Sequence, residues 1–268
     1  MDIADFTEEQ LQRYARHIVM PEVGGAGQTK LMQAKVLVIG AGGLGAPLLM
    51  YLAAAGVGTL GIVDNDAVDF SNLQRQVIHT TDRVGVAKTE SARQAVEALN
   101  PEVQVIQHHE RFEAHNALDI VAGYDLVCDG TDNFATRYLI NDACFLAKKP
   151  LVSAAMLRFD GQLTTFRAFE DGEHPCYRCL FPNPPPDGLI PSCSEAGILG
   201  AIAGVMGSLQ AVEVLKEILE LGERLDGTLV IYDALGAEFR RVSYGADPDC
   251  ALCGPQATIK DLSEHANG

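Results

Sequence analysis

The chain is 268 residues long, 47% apolar and 21% charged, an ordinary globular composition with room for one or two domains. Its 36 acidic and 20 basic residues leave a formal charge of −16, which argues against a general binder of nucleic acid or anionic membrane, because both need an excess of Lys and Arg. A chain of this size folds without covalent staples, so its seven cysteines call for another use.

The N-terminus, Met1-Asp2-Ile3-Ala4-Asp5, has no basic stretch leading into an apolar run, and so reads as no secretory signal. Residues 36–63 hold 28 positions without a charge, but seven glycines and Pro47 cut them into pieces too short to cross ~30 Å of hydrocarbon. Residues 196–212 are also uncharged, with Ser208 and Gln210 inside, and read as a buried helix. The expected compartment is the cytoplasm, where cysteines stay reduced; paired cysteines then favour metal or catalysis over disulfides.

In chain order, Thr7 opens an amphipathic helix and Gln10 completes a capping box, with Leu11, Tyr14, Ile18 and Val19 on its apolar side. Residues 36–39 form a continuous apolar run ending in glycines, as a buried parallel strand does. A helix over 44–55 follows, with Pro47 in its first turn where it is tolerated. Residues 60–63 are the next strand, 86–99 a helix, 103–106 and 126–128 strands, 134–147 a helix and 151–155 a strand. This alternation predicts a doubly wound α/β layer. Beyond it come a turn at Asp160-Gly161, a strand over 162–168, and a proline-rich segment over 182–191 that reads as a mobile loop. A long apolar helix over 198–221, strands over 228–232 and 239–243, and a short polar tail complete the chain.

Five groups of residues carry chemistry. Gly40-Ala41-Gly42-Gly43-Leu44-Gly45 fits G-x-G-x-x-G between a strand and a helix, where backbone N–H groups meet phosphates at the positive helix end. Asp64 closes the next strand and can accept hydrogen bonds from ribose hydroxyls. A nicotinamide-dependent dehydrogenase would share both features. The second group, Ser71-Asn72-Leu73-Gln74-Arg75-Gln76 with Lys88, is not needed by a dehydrogenase, and its cations can neutralise a triphosphate; alone, either cation reads as solvated surface charge. Third, Asp129-Gly130-Thr131-Asp132-Asn133 lies at the C-terminal strand edge where open parallel sheets bind ligands. A carboxylate there can hold Mg²⁺, or Asp132 or Asn133 can cap a helix.

Fourth, Cys176-x-x-Cys179 and Cys250-x-x-Cys253 can give four thiolates to a tetrahedral, non-catalytic zinc, the alternatives being redox pairs or unconnected thiols. Fifth, Cys193 in Ser192-Cys193-Ser194-Glu195 sits in a polar segment beside a helix start, which favours thiolate, whereas a lone cysteine is commonly a small buried hydrophobe. Cys128 and Cys144 fall in apolar elements and read as core.

Arg13-Tyr14-Ala15-Arg16-His17, the glycine loop, Asp64-Asn65-Asp66, Ser71 through Gln76, Thr131-Asp132-Asn133 and Cys176-Tyr177-Arg178-Cys179 occur in this order. The chain therefore resembles the ThiF/MoeB/HesA family, prokaryotic relatives of ubiquitin-activating enzymes, from about Phe6 to Cys253. Tyr232-Asp233-Ala234 and Phe239-Arg240 lean toward MoeB. The resemblance implies one Rossmann-like, mostly parallel sheet with antiparallel C-terminal strands and a zinc staple. Residues 6–155 would form the nucleotide-binding part, 156–253 the carrier and zinc part and 254–268 a polar tail, with no rhodanese domain.

It also implies ATP-dependent adenylylation of the C-terminal Gly-Gly carboxylate of a ubiquitin-like sulfur carrier of the MoaD type, in molybdenum cofactor biosynthesis. The alternatives are the ThiS carrier of thiamine biosynthesis, or one enzyme serving several carriers. Gly40, Gly42, Gly43, Gly45, Ser71, Leu73, Gln74 and Asn133 belong to the implied nucleotide site. Within it Gly43 would contact the nucleotide, Asp64 the ribose, and Asn72, Arg75 and Lys88 the phosphates. Asp132 would hold Mg²⁺, Arg16 would reach the partner subunit's ATP in a homodimer, and Cys193 matches a crossover-loop thiol. Sulfur would come from a separate sulfurtransferase or cysteine desulfurase. Two other readings stand beside this one: an NAD-dependent oxidoreductase and a non-catalytic zinc scaffold.

Overall fold

The computed structural model describes residues 6–170, 174–186 and 197–266. One eight-stranded sheet runs through it in the order β3-β2-β1-β4-β5-β6-β7-β8. The strands are β1 (Lys35–Ile39), β2 (Thr59–Val63), β3 (Gln104–His108), β4 (Leu126–Asp129), β5 (Leu151–Leu157), β6 (Asp160–Phe166), β7 (Thr228–Asp233) and β8 (Glu238–Ser243). The first five pair in parallel and β5 through β8 pair antiparallel, as the sequence leads one to expect. The order reverses between β1 and β4, which opens a crevice at the carboxyl ends of the strands.

The helices are α1 (Glu8–Arg13), α2 (Ala15–Ile18), α3 (Gly24–Gln33), α4 (Gly45–Ala55), α5 (Lys88–Leu99), α6 (Ala117–Ala122), α7 (Phe134–Leu146), α8 (Tyr177–Leu180) and α9 (Gly200–Leu219). Strand period-2 geometry sorts the core into two layers. Val36 and Val38 face α4, α5 and α9, while Leu37 and Ile39 face α6 and α7. A third, smaller apolar cluster gathers Cys176, Cys250, Leu252 and Ile259. Cys128 and Cys144 are buried in the two main layers, as read from their apolar neighbours.

Several local expectations are corrected. The N-terminal helix begins with the expected Thr7–Gln10 capping box, but the chain breaks at Tyr14 into two short helices. Tyr14 is drawn inward, where its hydroxyl accepts a hydrogen bond from Asn100 Nδ2 at 2.9 Å, and Val19 is left 72% exposed. Helices α3 and α6 have weak apolar periodicity and were not anticipated. The hairpin turn between β5 and β6 falls on Arg158 and Phe159, not on Asp160-Gly161: Leu157 pairs with Asp160 and Arg158 takes a left-handed φ of 55°, which two-residue hairpins favour. Gly161 lies inside β6 instead, because a Cβ there would stand 2.3 Å from the Met206 sulfur of α9. The stretch after Cys253 is more than a polar tail, since Ile259 and Leu262 are buried.

Candidate active site

A cleft of about 860 Å³ opens over the carboxyl ends of β1, β2 and β4. Its floor is the glycine loop. Gly40 has φ 96° and its Cα faces the Gly130 carbonyl, so that a Cβ would stand 2.9 Å from that oxygen. Gly45 lies beneath the loop; a Cβ there would come 1.9 Å from the Gly40 carbonyl oxygen. Only glycine lets α4 start this close to the strand it follows.

Asp64 braces the loop from the end of β2. Its Oδ2 accepts from the Ala41 N–H and its Oδ1 from the Asp66 N–H, both at 2.9 Å. Burial raises its pKa, opposed first by the nearby Lys88 cation. His79 supports the other side of the same turn: its Nε2 is 3.0 Å from the Ala41 carbonyl and its Nδ1 2.8 Å from Ser91 Oγ. A carbonyl only accepts, so the proton belongs on Nε2 and the Ser91 hydroxyl donates to Nδ1. Burial pushes the His79 pKa down to about 4, which keeps the ring neutral in this role. The sequence reading missed His79, because nothing local distinguishes it from a core histidine.

Lys88 starts α5 and places its Nζ 2.8 Å from Asp66 Oδ2 in the cleft wall. Arg75 lines the opposite side and donates to the Ser71 carbonyl at 3.1 Å. Its neighbours form the turn that carries it. Asp69 and Asn72 cap the helical turn Phe70–Asn72 reciprocally, and Ser71 bonds Asp69. Ser71, Asn72, Leu73 and Gln74 are absent from the cleft lining. The polar string thus acts first as a folded turn that presents Arg75 and the buried Gln76.

At the end of β4, Asp129 is buried and accepts from Thr131 N–H, Thr131 Oγ1 and Ser153 Oγ. Asn133 caps α7 by accepting from the Thr136 N–H. That leaves Asp132 exposed in the cleft, with no hydrogen-bond partner among the described residues. Of the two capping candidates the structure chooses Asn133, and the Asp132 carboxylate stays available to a cation.

The cleft therefore brings together Gly40, Gly42, Gly43, Asp64, Arg75, Lys88, Asp132 and Asn133. Arg16 is exposed on α2, away from this lining. Cys193 lies outside the described residues. Further lining comes from Arg137, from Glu110 to His115 after β3, and from Glu264, His265 and Ala266. Arg137 donates to the Thr131 carbonyl at 2.8 Å.

The four cysteines form a separate centre. Their sulfurs all lie within 4.8 Å of one another, with separations of 3.3 to 3.9 Å. Thiolates bound at ~2.3 Å to one tetrahedral ion would be roughly 3.8 Å apart, so the donor set fits zinc. Arg178, between Cys176 and Cys179, grips Asp142 with Nε–Oδ1 at 2.9 Å and Nη2–Oδ2 at 2.6 Å. Burial alone would raise the Asp142 pKa, but hydrogen bonds from Arg178 and His265 hold it below the usual value.

Comparison with known proteins adds an independent line. The sequence pattern of the ThiF family matches residues 14–252. The sulfur carrier protein adenylyltransferase of Thermus thermophilus is 49% identical over 262 residues, covering 97% of each chain. The SAMP-activating enzyme E1 of Haloferax volcanii is 51% identical over 245 residues, 91% of this chain and 89% of that one. The adenylyltransferase and sulfurtransferase MOCS3 of Bos taurus is 49% identical over 98% of this chain, which spans 57% of the bovine protein. Among solved structures, E. coli MccB with MccA-N7isoASN superposes with a TM-score of 0.77 at 25% identity, covering 93% of this chain and 76% of that one. No helix among the described residues is long and apolar enough to cross a membrane.

Proposed function

Because the chain belongs to the ThiF family, we propose that it uses ATP to adenylylate the C-terminal Gly-Gly carboxylate of a ubiquitin-like sulfur carrier protein. The observation that carries this reading is the gathering of the glycine loop, Asp64, Arg75, Lys88 and Asp132 in one cleft. A dehydrogenase would explain the glycines and Asp64, but it gives Arg75 and Lys88 no task. The relatives named for carrier adenylylation and SAMP activation support the same chemistry.

In the reaction a carboxylate oxygen of the carrier attacks the α-phosphorus of ATP. The bond from that phosphorus to the bridging oxygen breaks, and pyrophosphate leaves with the electron pair. No general base is required, since the carboxylate is already ionised near neutral pH. The barrier is the repulsion of two anions. Arg75 and Lys88 screen it and stabilise charge on the departing pyrophosphate. Asp132 would hold Mg²⁺, which supplies further neutralisation when bound. Asp64 orients the ribose, and the loop N–H groups at the start of α4 receive phosphate oxygens.

Arg16, outside its own cleft, acts on the ATP of the partner in a homodimer. The four-cysteine centre holds a structural zinc. Cys193 matches the crossover-loop thiol of the family, and Cys193→Ala in adenylation and sulfur-transfer assays separates a covalent role from a spectator. Sulfur arrives from a separate sulfurtransferase or cysteine desulfurase. The carrier is of the MoaD type, with the ThiS type as the alternative, and the reaction takes place in the cytoplasm.

The test is ATP–pyrophosphate exchange with purified carriers ending in Gly-Gly, run side by side. Exchange dependent on the carrier supports the proposal, and the preferred carrier identifies the pathway. Absence of exchange with every such carrier overturns it.

A further inference from the structure

The segment after the cysteine centre crosses to the nucleotide cleft. Ile259 packs in the cysteine cluster and Leu262 in the core layer of α6 and α7. Asp261 then accepts from the Ser263 N–H at 2.9 Å, at the entry to the helical turn Ser263–His265. His265 Nε2 stands 2.8 Å from Asp142 Oδ2, on a carboxylate that is fully buried and already gripped by Arg178. This contact sets Glu264, His265 and Ala266 into the cleft wall, beside the loop after β3 and the first turns of α7.

We propose that residues 258–266 form the wall against which the nucleoside end of ATP rests, with His265 as the positioning residue that seats it on Asp142. Charge orders the ligand along the cleft. Arg75, Lys88 and the start of α4 draw the phosphates to the glycine loop. Of the residues this segment gives the cleft wall, Glu264 brings the one free charged group, because the His265 ring is spent on Asp142; Arg137 in the same lining is turned to the Thr131 carbonyl. A carboxylate disfavours phosphate there and tolerates an uncharged base and ribose. Asp142 is shared between His265 and Arg178, so the wall is tied to α8 and hence to the Cys176–Cys179 pair.

The inference rests on the cleft holding ATP, and the experiment separates the two. Hydrogen exchange of the full-length protein is measured with and without adenylyl imidodiphosphate, a non-hydrolysable ATP analogue. We expect the analogue to slow amide exchange in residues 258–266 by about tenfold or more. Carrier-dependent pyrophosphate exchange is then measured for two variants. His265→Ala raises KM for ATP about tenfold with at most about a twofold fall in kcat. His265→Gln, whose side-chain amide can still donate to Asp142, recovers most of that loss. Arg178 and Asn141 continue to satisfy Asp142 in both variants, so the fold is retained. If the analogue binds and the segment exchanges unchanged, or if His265→Ala leaves KM unaltered, the wall is overturned and the reading of the cleft survives. If the wild-type protein binds no analogue, both fall.

Discussion

Lys88 Nζ lies 2.8 Å from Asp66 Oδ2, with the lysine side chain 8% exposed and the aspartate 61% exposed. This asymmetry makes the pair a holder for the ammonium more than a structural tie. An ion pair whose acidic partner is this exposed contributes at most about 1 kcal/mol. A triphosphate entering the cleft brings the ammonium stronger partners, and Asp66 loses little by returning to water. Lys88→Ala should therefore cost little stability in urea denaturation and lower the rate of pyrophosphate exchange by roughly a hundredfold or more.

Asp132 gives a cleaner separation of chemistry from folding. Its carboxylate is exposed, and the cap of α7 belongs to Asn133. Asp132→Ala should shift unfolding free energy by no more than about 0.5 kcal/mol while abolishing Mg²⁺-dependent exchange. Asn133→Ala should do the reverse, costing about 1 kcal/mol through the lost cap. Melting curves and exchange assays on the two neighbours would reveal any confusion of the roles.

The cysteine centre predicts a stoichiometry. Purified protein should release about one zinc per chain on thiol modification, as four thiolates in a closed tetrahedral site imply. Cys250→Ser should lose the ion and melt several degrees lower. Zinc content measured by a chromogenic chelator, together with the melting temperature, checks this; a fully stable protein without metal would refute the structural role.

His79 sets an acid limit. Its pKa is about 4 in the fold against ~6.5 in an unfolded chain. Between these values the unfolded chain binds a proton that the native ring refuses, so acid favours unfolding. The stability tied to the neutral ring is complete above about pH 6.5 and is lost as pH falls toward 4, amounting to roughly 3 kcal/mol. His79→Gln keeps a donor for the Ala41 carbonyl and removes the titration. The stability difference between wild type and His79→Gln should slope through this window and be flat above it.

Two glycines should respond oppositely to alanine. Gly45→Ala drives a methyl to 1.9 Å from the Gly40 carbonyl oxygen and must push apart the loop and α4, costing about 3 kcal/mol or more. A Cβ on Gly204, inside α9, meets nothing within 4 Å. Gly204→Ala should stabilise by about 0.5–1 kcal/mol, because it removes helix-opposing backbone freedom. Chemical denaturation of both variants tests the contrast.

The central parallel strands were legible because they are apolar runs that end in functional glycines and acids; Val36 to Ile39 and Leu60 to Val63 needed no tertiary information. The cysteine centre was legible from chemistry, since the thiolates of two Cys-x-x-Cys pairs suit one tetrahedral metal ion. Long-range partners were not. Tyr14 breaks the N-terminal helix because Asn100 waits 86 positions away. His265 serves Asp142 across 123 positions. In the string from Ser71 to Gln74 the turn was not legible: Ser71 and Asn72 bond Asp69 and shape the backbone that carries Arg75, a local use of a hydroxyl and an amide that only the fold reveals.

The two cysteine pairs also record how the chain must assemble. Each pair is local, set by a single turn of backbone, yet the loop between them contains α9, β7 and β8. Loop closure of that length is entropically costly until the intervening strands have paired. The Cys176 and Cys250 sulfurs meet across 74 positions, so their approach reports that both ends of the intervening segment have taken their places. A chain stalled earlier carries two separate dithiols, open to oxidation and alkylation, and is chemically distinguishable from the finished protein.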